Sequence, residues 1–419
     1  MQVGTQNKTN IIYKLSDKCI VMDMTRPIDE THPFLSFQPQ LSNNPRLWSL
    51  LGEVKSKCEH IAGAPLLPSV SRELHQVYLA KGIMATTAIE GNTLTEAQVR
   101  AILDKTIHVP PSREYQRQEV ENVITACNEV LESVFNDPNR PLTLQELCGF
   151  NAHILYKLEL AQEVTPGQLR PNNVSVGRYL APQAADVPEL MHQFIRWLNT
   201  FDLGAGGEQM RPHYAILRAI LAHLYFVWIH PFGDGNGRVS RLLELYLLLK
   251  AGVSTPVAHL LSNHYNLTRD RYYLELDRAQ RNIEGFVLYA LEGFRDGLAE
   301  QIAQLQVQQS EVMWGYLVDS AIEGTSESAV RQRTLARELA HPAVLARGVS
   351  KEEIPRLNFA LMASYGSRTP KTLSRDLNTL LEKELILTVP GKETRYRAQW
   401  KRLLGMLPAR IPPPSRPSS

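Results

Sequence analysis

The chain has 419 residues, with 45 Lys and Arg against 43 Asp and Glu and a formal net charge of +2, so no global field draws it toward nucleic acid or an anionic membrane. Hydrophobic residues make up 43% and charged residues 21%, the balance of a soluble globular chain long enough for two or three domains. Four cysteines (Cys19, Cys58, Cys127, Cys148) form no CxxC pair, which argues against a disulfide framework or zinc site and for a reducing compartment.

The N-terminal stretch MQVGTQNKTNIIYKLSDK lacks an apolar core behind a basic start, so it does not read as a secretory signal. Residues 1–33 are polar and irregular and read as a flexible arm. Residues 34–114 carry helical periodicity in LWSLLGEVKSKCEHIAG, SRELHQVYLAKGIMATTAIE and TEAQVRAILDK, with Thr95 as an N-cap. In the next region, 115–320, REYQRQEVENVITACNEVLESVF is a strongly amphipathic helix and TLQELCGFNAHILYKL starts from a Thr143 cap. The run from Tyr214 to Ile229 is nearly all apolar but holds Arg218 and His223, so it reads as a central buried helix and not a membrane span. A cytoplasmic location is expected.

Between these helices, TPGQLRPNNVSVGRYLAPQAADVPEL is too rich in Pro, Gly and Asn for a helix. Its Val174-Ser175-Val176 alternation suggests a small β-hairpin. After a long helix from Phe286, IEGTSESA reads as a linker. Residues 325–405 then show three helical patterns and a strand–Pro-Gly turn–strand, the order of a winged helix. Residues 406–419 read as a disordered tail.

The stretch IHPFGDGNGRVSRLLELYLLLKAG carries the chemistry. An apolar helix runs into His230, and Gly233, Asp234, Gly235, Asn236 and Gly237 form a tight loop ahead of a second helix. Glycines let backbone N–H groups converge at a helix N-terminus, which favours a bound anion. Arg238 and Arg241 project from the first turn. Asp234 can hold a divalent cation and His230 can take a proton near neutral pH. A base, a metal carboxylate, an amide nest and two arginines suit phosphoryl or nucleotidyl transfer. A dinucleotide fingerprint would need glycine at Arg238, and no GK[ST] follows, so this is neither a Rossmann nor a Walker loop. The plain alternative is a Gly-rich interhelical turn with surface arginines.

HPFGDGNGRVSR resembles the Fic-domain signature HxFx(D/E)GNGRxxR at every specified position, and the resemblance extends over about residues 115–300. It implies a mainly α fold: a Fic helical core with a small β-hairpin flap, followed here by the winged-helix domain. It also implies transfer of AMP from ATP to a Ser, Thr or Tyr hydroxyl of a protein. His230 would be the base and Asp234 the Mg²⁺ ligand. Gly235, Asn236, Gly237, Arg238, Val239, Ser240 and Arg241 would hold the nucleotide, Arg241 gripping its γ-phosphate, and Phe232 would anchor the loop in the core. Tyr265, Tyr272 and Tyr273 stand as adenine contacts. Gly167, Arg170, Val174, Ser175, Val176 and Gly177 resemble the flap that binds a target segment by β-augmentation. Val227 departs from the glutamate of many members, with packing consequences expected.

TTAIEGN resembles the family's inhibitory motif, (S/T)xxxE(G/N), at Thr86, Glu90 and Gly91. The implied role of Glu90 is to pair with Arg241 and close the γ-phosphate site. A carboxylate at a helix C-terminus is otherwise opposed by the macrodipole. Implied partners are ATP and a target protein of unknown identity, and not a membrane. Self-modification, a homo-oligomer and DNA contact through the C-terminal domain stay open. Two other functions stay open as well: removal of AMP from a modified protein with the help of Glu90, and a nucleotide-sensing DNA-binding regulator.

Overall fold

Apolar residues spaced three and four apart dominate the chain, and helices form nearly everywhere that this spacing occurs. The computed structural model of the protein describes residues 27–41, 43–64, 68–106, 110–201 and 211–405. The chain divides into two units between Ala299 and Glu300.

In the first unit, α1 (Ile28–Thr31), α2 (Pro45–Ala62), α3 (Pro68–Ile89), α4 (Glu96–Leu103), α5 (Glu114–Asn136) and α6 (Leu144–Ile154) precede a hairpin of β1 (Ser175–Val176) and β2 (Tyr179–Leu180). There follow α7 (Val187–Thr200), α8 (Arg211–Ile229), α9 (Asn236–Lys250), α10 (Thr255–Ala258), α11 (Leu260–Leu267), α12 (Arg269–Ala279) and the long α13 (Ile283–Ala321). Thr95 and Thr143 each make a full capping box, with Gln98 and Glu146 reaching back, which satisfies donors that a helix start leaves unpaired.

Helices α8 and α9 form the centre. Nearly every side chain from Ile216 to Ile229 and from Arg238 to Leu248 is buried: α8 is apolar on nearly all faces, and the buried Arg238, Arg241 and Glu244 of α9 each have a hydrogen-bond partner. Helices α3, α5 and α6 pack on α9, while α2 and α7 pack on α8. A flexible arm is expected over residues 1–33. Residues 1–26 lie outside the described residues, but 28–35 form α1 and a 3-10 turn, with His32 and Leu35 buried. His32 Nε2 hydrogen-bonds the Leu180 carbonyl at 2.9 Å, so this segment holds β2.

In the second unit, the end of α13 contributes Trp314 and Val318, and Ile322 just beyond it joins them, to a separate core. It continues with α14 (Glu327–Glu338), α15 (Pro342–Arg347), α16 (Phe359–Tyr365), α17 (Pro370–Glu382), β3 (Ile386–Val389) and β4 (Arg395–Ala398). The division falls inside α13 and not in the linker, because the apolar periodicity carries the helix past residue 300 before the chain turns. Strands β3 and β4 pair antiparallel, Ile386 opposite Ala398, and Val349 bridges to Tyr396. The helices-then-hairpin order matches expectation, and α15 is an addition to it. The tail at 406–419 lies outside the described residues.

Candidate active site

Helix α8 ends at Ile229, and His230 adopts a left-handed φ of 49°, a conformation costly for most non-glycine residues but enriched in His. Its amide donates to Phe226 O at 3.0 Å. Pro231 then prevents the helix from resuming. Phe232 is buried in the core, and Asn236 clamps it from both sides: Asn236 Oδ1 accepts from Phe232 N at 2.9 Å and Nδ2 donates to Phe232 O at 2.8 Å. Gly235, at φ 79°, is the N-cap of α9 and offers no side-chain cap. The first-turn amides of Asn236, Gly237 and Arg238 therefore have no carbonyl within their own helix, and that turn holds no acidic residue.

The negative charge comes from α3 instead. Helix α3 ends in a Schellman turn: Asn92 N donates to Thr87 O and Gly91 N to Ala88 O, with Gly91 at φ 102°, the position where glycine is favoured. This sets Glu90 at the end of the helix and directs it to α9. Arg241 Nη2 donates to Glu90 Oε1 at 2.5 Å, Nε to Thr86 Oγ1 at 2.8 Å and Nη2 to Thr86 O at 3.0 Å. The Arg241 side chain is 2% exposed and that of Glu90 32%. A Cβ at Gly237 would collide with Glu90 Oε1, so only glycine allows the carboxylate this close to the turn. Burial raises the Glu90 carboxyl, but Arg241 outweighs it and holds the group below the usual carboxylate range.

Glu90, His230, Gly237, Arg241, Tyr272 and Tyr273 line one cavity of about 540 Å³, closed on another side by Val176, Gly177 and Tyr179 of the hairpin. His230 Nδ1 bonds the Val227 carbonyl at 3.2 Å. That contact requires Nδ1 to carry the proton and leaves the Nε2 lone pair available. Burial pushes the imidazole down to about 4, so it is neutral at pH 7.

Other expected site residues lie elsewhere. Tyr265 does not line the cavity. It is fully buried and donates to Glu244 Oε1 at 2.9 Å, behind Tyr272, whose hydroxyl hydrogen-bonds His223 at 3.0 Å. Burial pushes Glu244 up to about 8, so this apolar layer sits behind Arg241 with little charge of its own. Val239 and Ser240 are buried, with Ser240 Oγ donating to Gly237 O. Arg238 is 5% exposed and pairs with Glu119 at 2.7 Å and with Asp234 at 3.3 Å, so its head group faces away from the cavity. Asp234 is 46% exposed just outside it.

Two residues expected on the target-binding flap are turned inward. Arg170 is buried and donates to the carbonyls of His230 (2.7 Å), Asn172 (2.8 Å) and Pro182 (2.5 Å), which staples the hairpin to the His230 loop. Gly167, at φ 77°, donates to Asn151 Oδ1 at 2.9 Å. Val174 is half-buried, while Ser175, Val176 and Gly177 are exposed. Strand β1 pairs only with β2 in a two-stranded sheet, which leaves its other edge free among the described residues.

Sequence reasoning missed Asn151, Glu119 and Asn92. Asn151 is fully buried and joins Asp234 O (2.9 Å) to the Gly167 turn. Glu119 is buried and accepts from Asn92 Nδ2 at 3.0 Å. The only sequence signal for Glu119 is its place beside Val120 and Val123 on the apolar stripe of α5.

The profile of the Fic/DOC family matches residues 141–248. A protein adenylyltransferase fic-1 of Caenorhabditis briggsae is 27% identical over 267 residues, covering 63% of this chain and 48% of the relative. A protein adenylyltransferase Fic of Drosophila ananassae is 34% identical over 170 residues, covering 41% and 32%. The chain thus spans about half the length, or less, of these curated relatives. A crystal structure of a Fic family protein from Desulfovibrio desulfuricans superposes with a TM-score of 0.52 at 22% identity, covering 86% of this chain and 98% of that one. Fic-1 of Caenorhabditis elegans gives 0.51 at 21%, covering 62% and 73%. At these identities the two structures speak to the fold.

Proposed function

The chain carries a Fic/DOC-family domain over residues 141–248, and from that premise we propose that it transfers AMP from ATP to a hydroxyl side chain of a protein and is held off by Glu90. The observation that carries this reading is one cavity containing His230, the start of α9 and a carboxylate seated over Gly237 where an anion is favoured. The relatives named protein adenylyltransferase support the reaction class.

In the transfer, His230 Nε2 takes the proton of the target hydroxyl. The hydroxyl oxygen bonds the α-phosphorus and the bond to pyrophosphate breaks in line. A bound polyanion raises an imidazole pKa, which brings His230 up from about 4 toward working pH. The first-turn amides of α9 receive the phosphate oxygens and Arg241 the γ-phosphate, once Glu90 leaves it. Tyr272 and Tyr273 offer ring faces to the base, and the free edge of β1 offers backbone groups to an extended target segment.

The described residues hold no cluster of three or more His, Cys, Asp or Glu side chains. Mg²⁺ commonly takes one or two carboxylates together with substrate phosphates and water, and Asp234 is the carboxylate we propose. Asp234 Oδ1 accepts from Gly235 N at 2.5 Å and from Arg238, which leaves Oδ2 to serve. The ion would neutralise phosphate charge there.

The test is parallel incubation of the Glu90→Gly protein and a cell lysate with ATP labelled at the α- or the γ-phosphate. Protein label from the α-position only is expected. Label from the γ-position, or none with folded protein, contradicts AMP transfer. Removal of AMP is the second reading, favoured by Glu90 Oε2, which has no partner among the described residues. It predicts AMP release from a modified protein, lost in Glu90→Gly.

Residues 325–405 read as a winged helix. Asp376 is turned inward to Arg331 at 2.6 Å, so the exposed start of α17 shows Lys371 and Arg375. Duplex DNA binding by the full chain that weakens steeply with salt would support nucleic acid as a partner; no binding at low salt removes it. No described helix is long and apolar enough to cross a membrane.

A further inference from the structure

The sequence assigns Arg238 to the phosphates, yet the side chain is 5% exposed and absent from the cavity wall. Its guanidinium is committed: Nη1 donates to Glu119 Oε1 at 2.7 Å and Nη2 to Asp234 Oδ1 at 3.3 Å. Reaching a nucleotide would mean breaking a buried ion pair and leaving Glu119 an uncompensated buried charge. Glu119 is itself held from the far side, because Asn92 Nδ2 donates to its Oε2 at 3.0 Å and to Gln116 O at 2.9 Å. Asn92 belongs to the same Schellman turn as Glu90. A continuous chain thus runs from the Glu90 turn through Asn92, Glu119 and Arg238 to Asp234.

We propose that Glu119 is a positioning residue for the Asp234 carboxylate: it holds Arg238 against Asp234 Oδ1, fixes Oδ2 for a divalent cation, and ties that carboxylate through Asn92 to the turn that carries Glu90. The inference rests on the AMP-transfer reading and deepens it. The Glu90 turn then touches both arginines of the motif, Arg241 directly and Arg238 through Glu119. A free nucleotide phosphate competes for the first contact only. Groups that hydrogen-bond a metal-ligating carboxylate are worth roughly 10- to 100-fold in metal affinity.

The experiment measures Mn²⁺ binding by electron paramagnetic resonance on the full chain with ATP present, and ATP binding without metal in EDTA. Both use the Glu90→Gly background with and without Glu119→Gln. A roughly 10- to 100-fold loss of Mn²⁺ affinity, with metal-free ATP affinity unchanged, is expected. Equal loss of metal-free ATP affinity would place Arg238 on the nucleotide and overturn the proposal, as would unchanged Mn²⁺ affinity. If Glu119→Gln fails to fold, Glu119→Asp keeps the charge at shorter reach. A smaller but selective Mn²⁺ loss is then expected, and no loss overturns the proposal. If Glu90→Gly alone binds no ATP with or without metal, the transfer reading itself falls and takes this inference with it.

Discussion

Replacing Glu90 with Gln keeps its size and removes its charge. The bond it weakens is the 2.5 Å contact from Arg241, a charge-assisted hydrogen bond of the kind worth about 1.5–3 kcal/mol. Because the Glu90 side chain is 32% exposed, solvent screens part of it, and about 2 kcal/mol is the reasonable figure. Arg241 keeps its bonds to Thr86 Oγ1 and Thr86 O, so the pocket wall survives and the change falls on the lock. If nucleotide must displace Glu90 to reach Arg241, about 2 kcal/mol corresponds to about 30-fold tighter ATP binding. The assay is titration calorimetry of Mg²⁺–ATP into His230→Ala protein, which cannot turn over, with and without Glu90→Gln. Affinity that is unchanged or weaker would refute the competition between carboxylate and phosphate. The lock should also hold across pH 5–8. A carboxylate whose folded pKa is depressed contributes stability above its unfolded pKa and loses it only as pH falls through the folded value.

Three further outcomes follow from the geometry. A Cβ at Gly82 would collide with the His259 ring, so Gly82→Ala should lower stability by about 1–3 kcal/mol despite its better helix propensity, read as a shift in urea midpoint at constant slope. His259 is 4% exposed and burial pushes it down to about 4. The unfolded chain, with His near 6.5, therefore binds protons first, so stability falls as pH drops from about 6.5 toward 4; His259→Gln should flatten that slope in thermal melts. In Glu90→Gly, the acid limb of kcat/KM should lie well below pH 6.5, because burial holds free His230 neutral down to about 4; a limb at 6.5 or above contradicts the assignment.

Local patterns carried much of this in the sequence. Apolar spacing marked α5, α8 and α17, the Thr95 and Thr143 caps were readable, and the Pro- and Gly-rich insert announced β1 and β2. His230 to Arg241 could be read together because they lie within twelve consecutive positions. Partners far apart in sequence could not. Glu119 looks like any acidic residue of an amphipathic helix until folding brings Arg238 against it. Asn151 looks like a mid-helix polar position until the Asp234 loop and the Gly167 turn close over it. Tyr265 on α11 and Tyr272 and Tyr273 on α12 lie within nine consecutive positions, but only the packing of the two helices puts the first behind the wall and the other two on it. Arg170 reads as a flap cation, yet three backbone carbonyls turn it inward. The division inside α13 was hidden for the opposite reason: helical periodicity runs straight through it.

The central claim is that His230 performs a transfer that Glu90 restrains. The most direct measurement is the initial rate of protein labelling from α-phosphate-labelled ATP by wild type, Glu90→Gly and Glu90→Gly/His230→Ala, side by side at equal folded concentration. The account predicts a low rate, a much higher rate and none, in that order. Equal rates for wild type and Glu90→Gly, or undiminished labelling without His230, would contradict it.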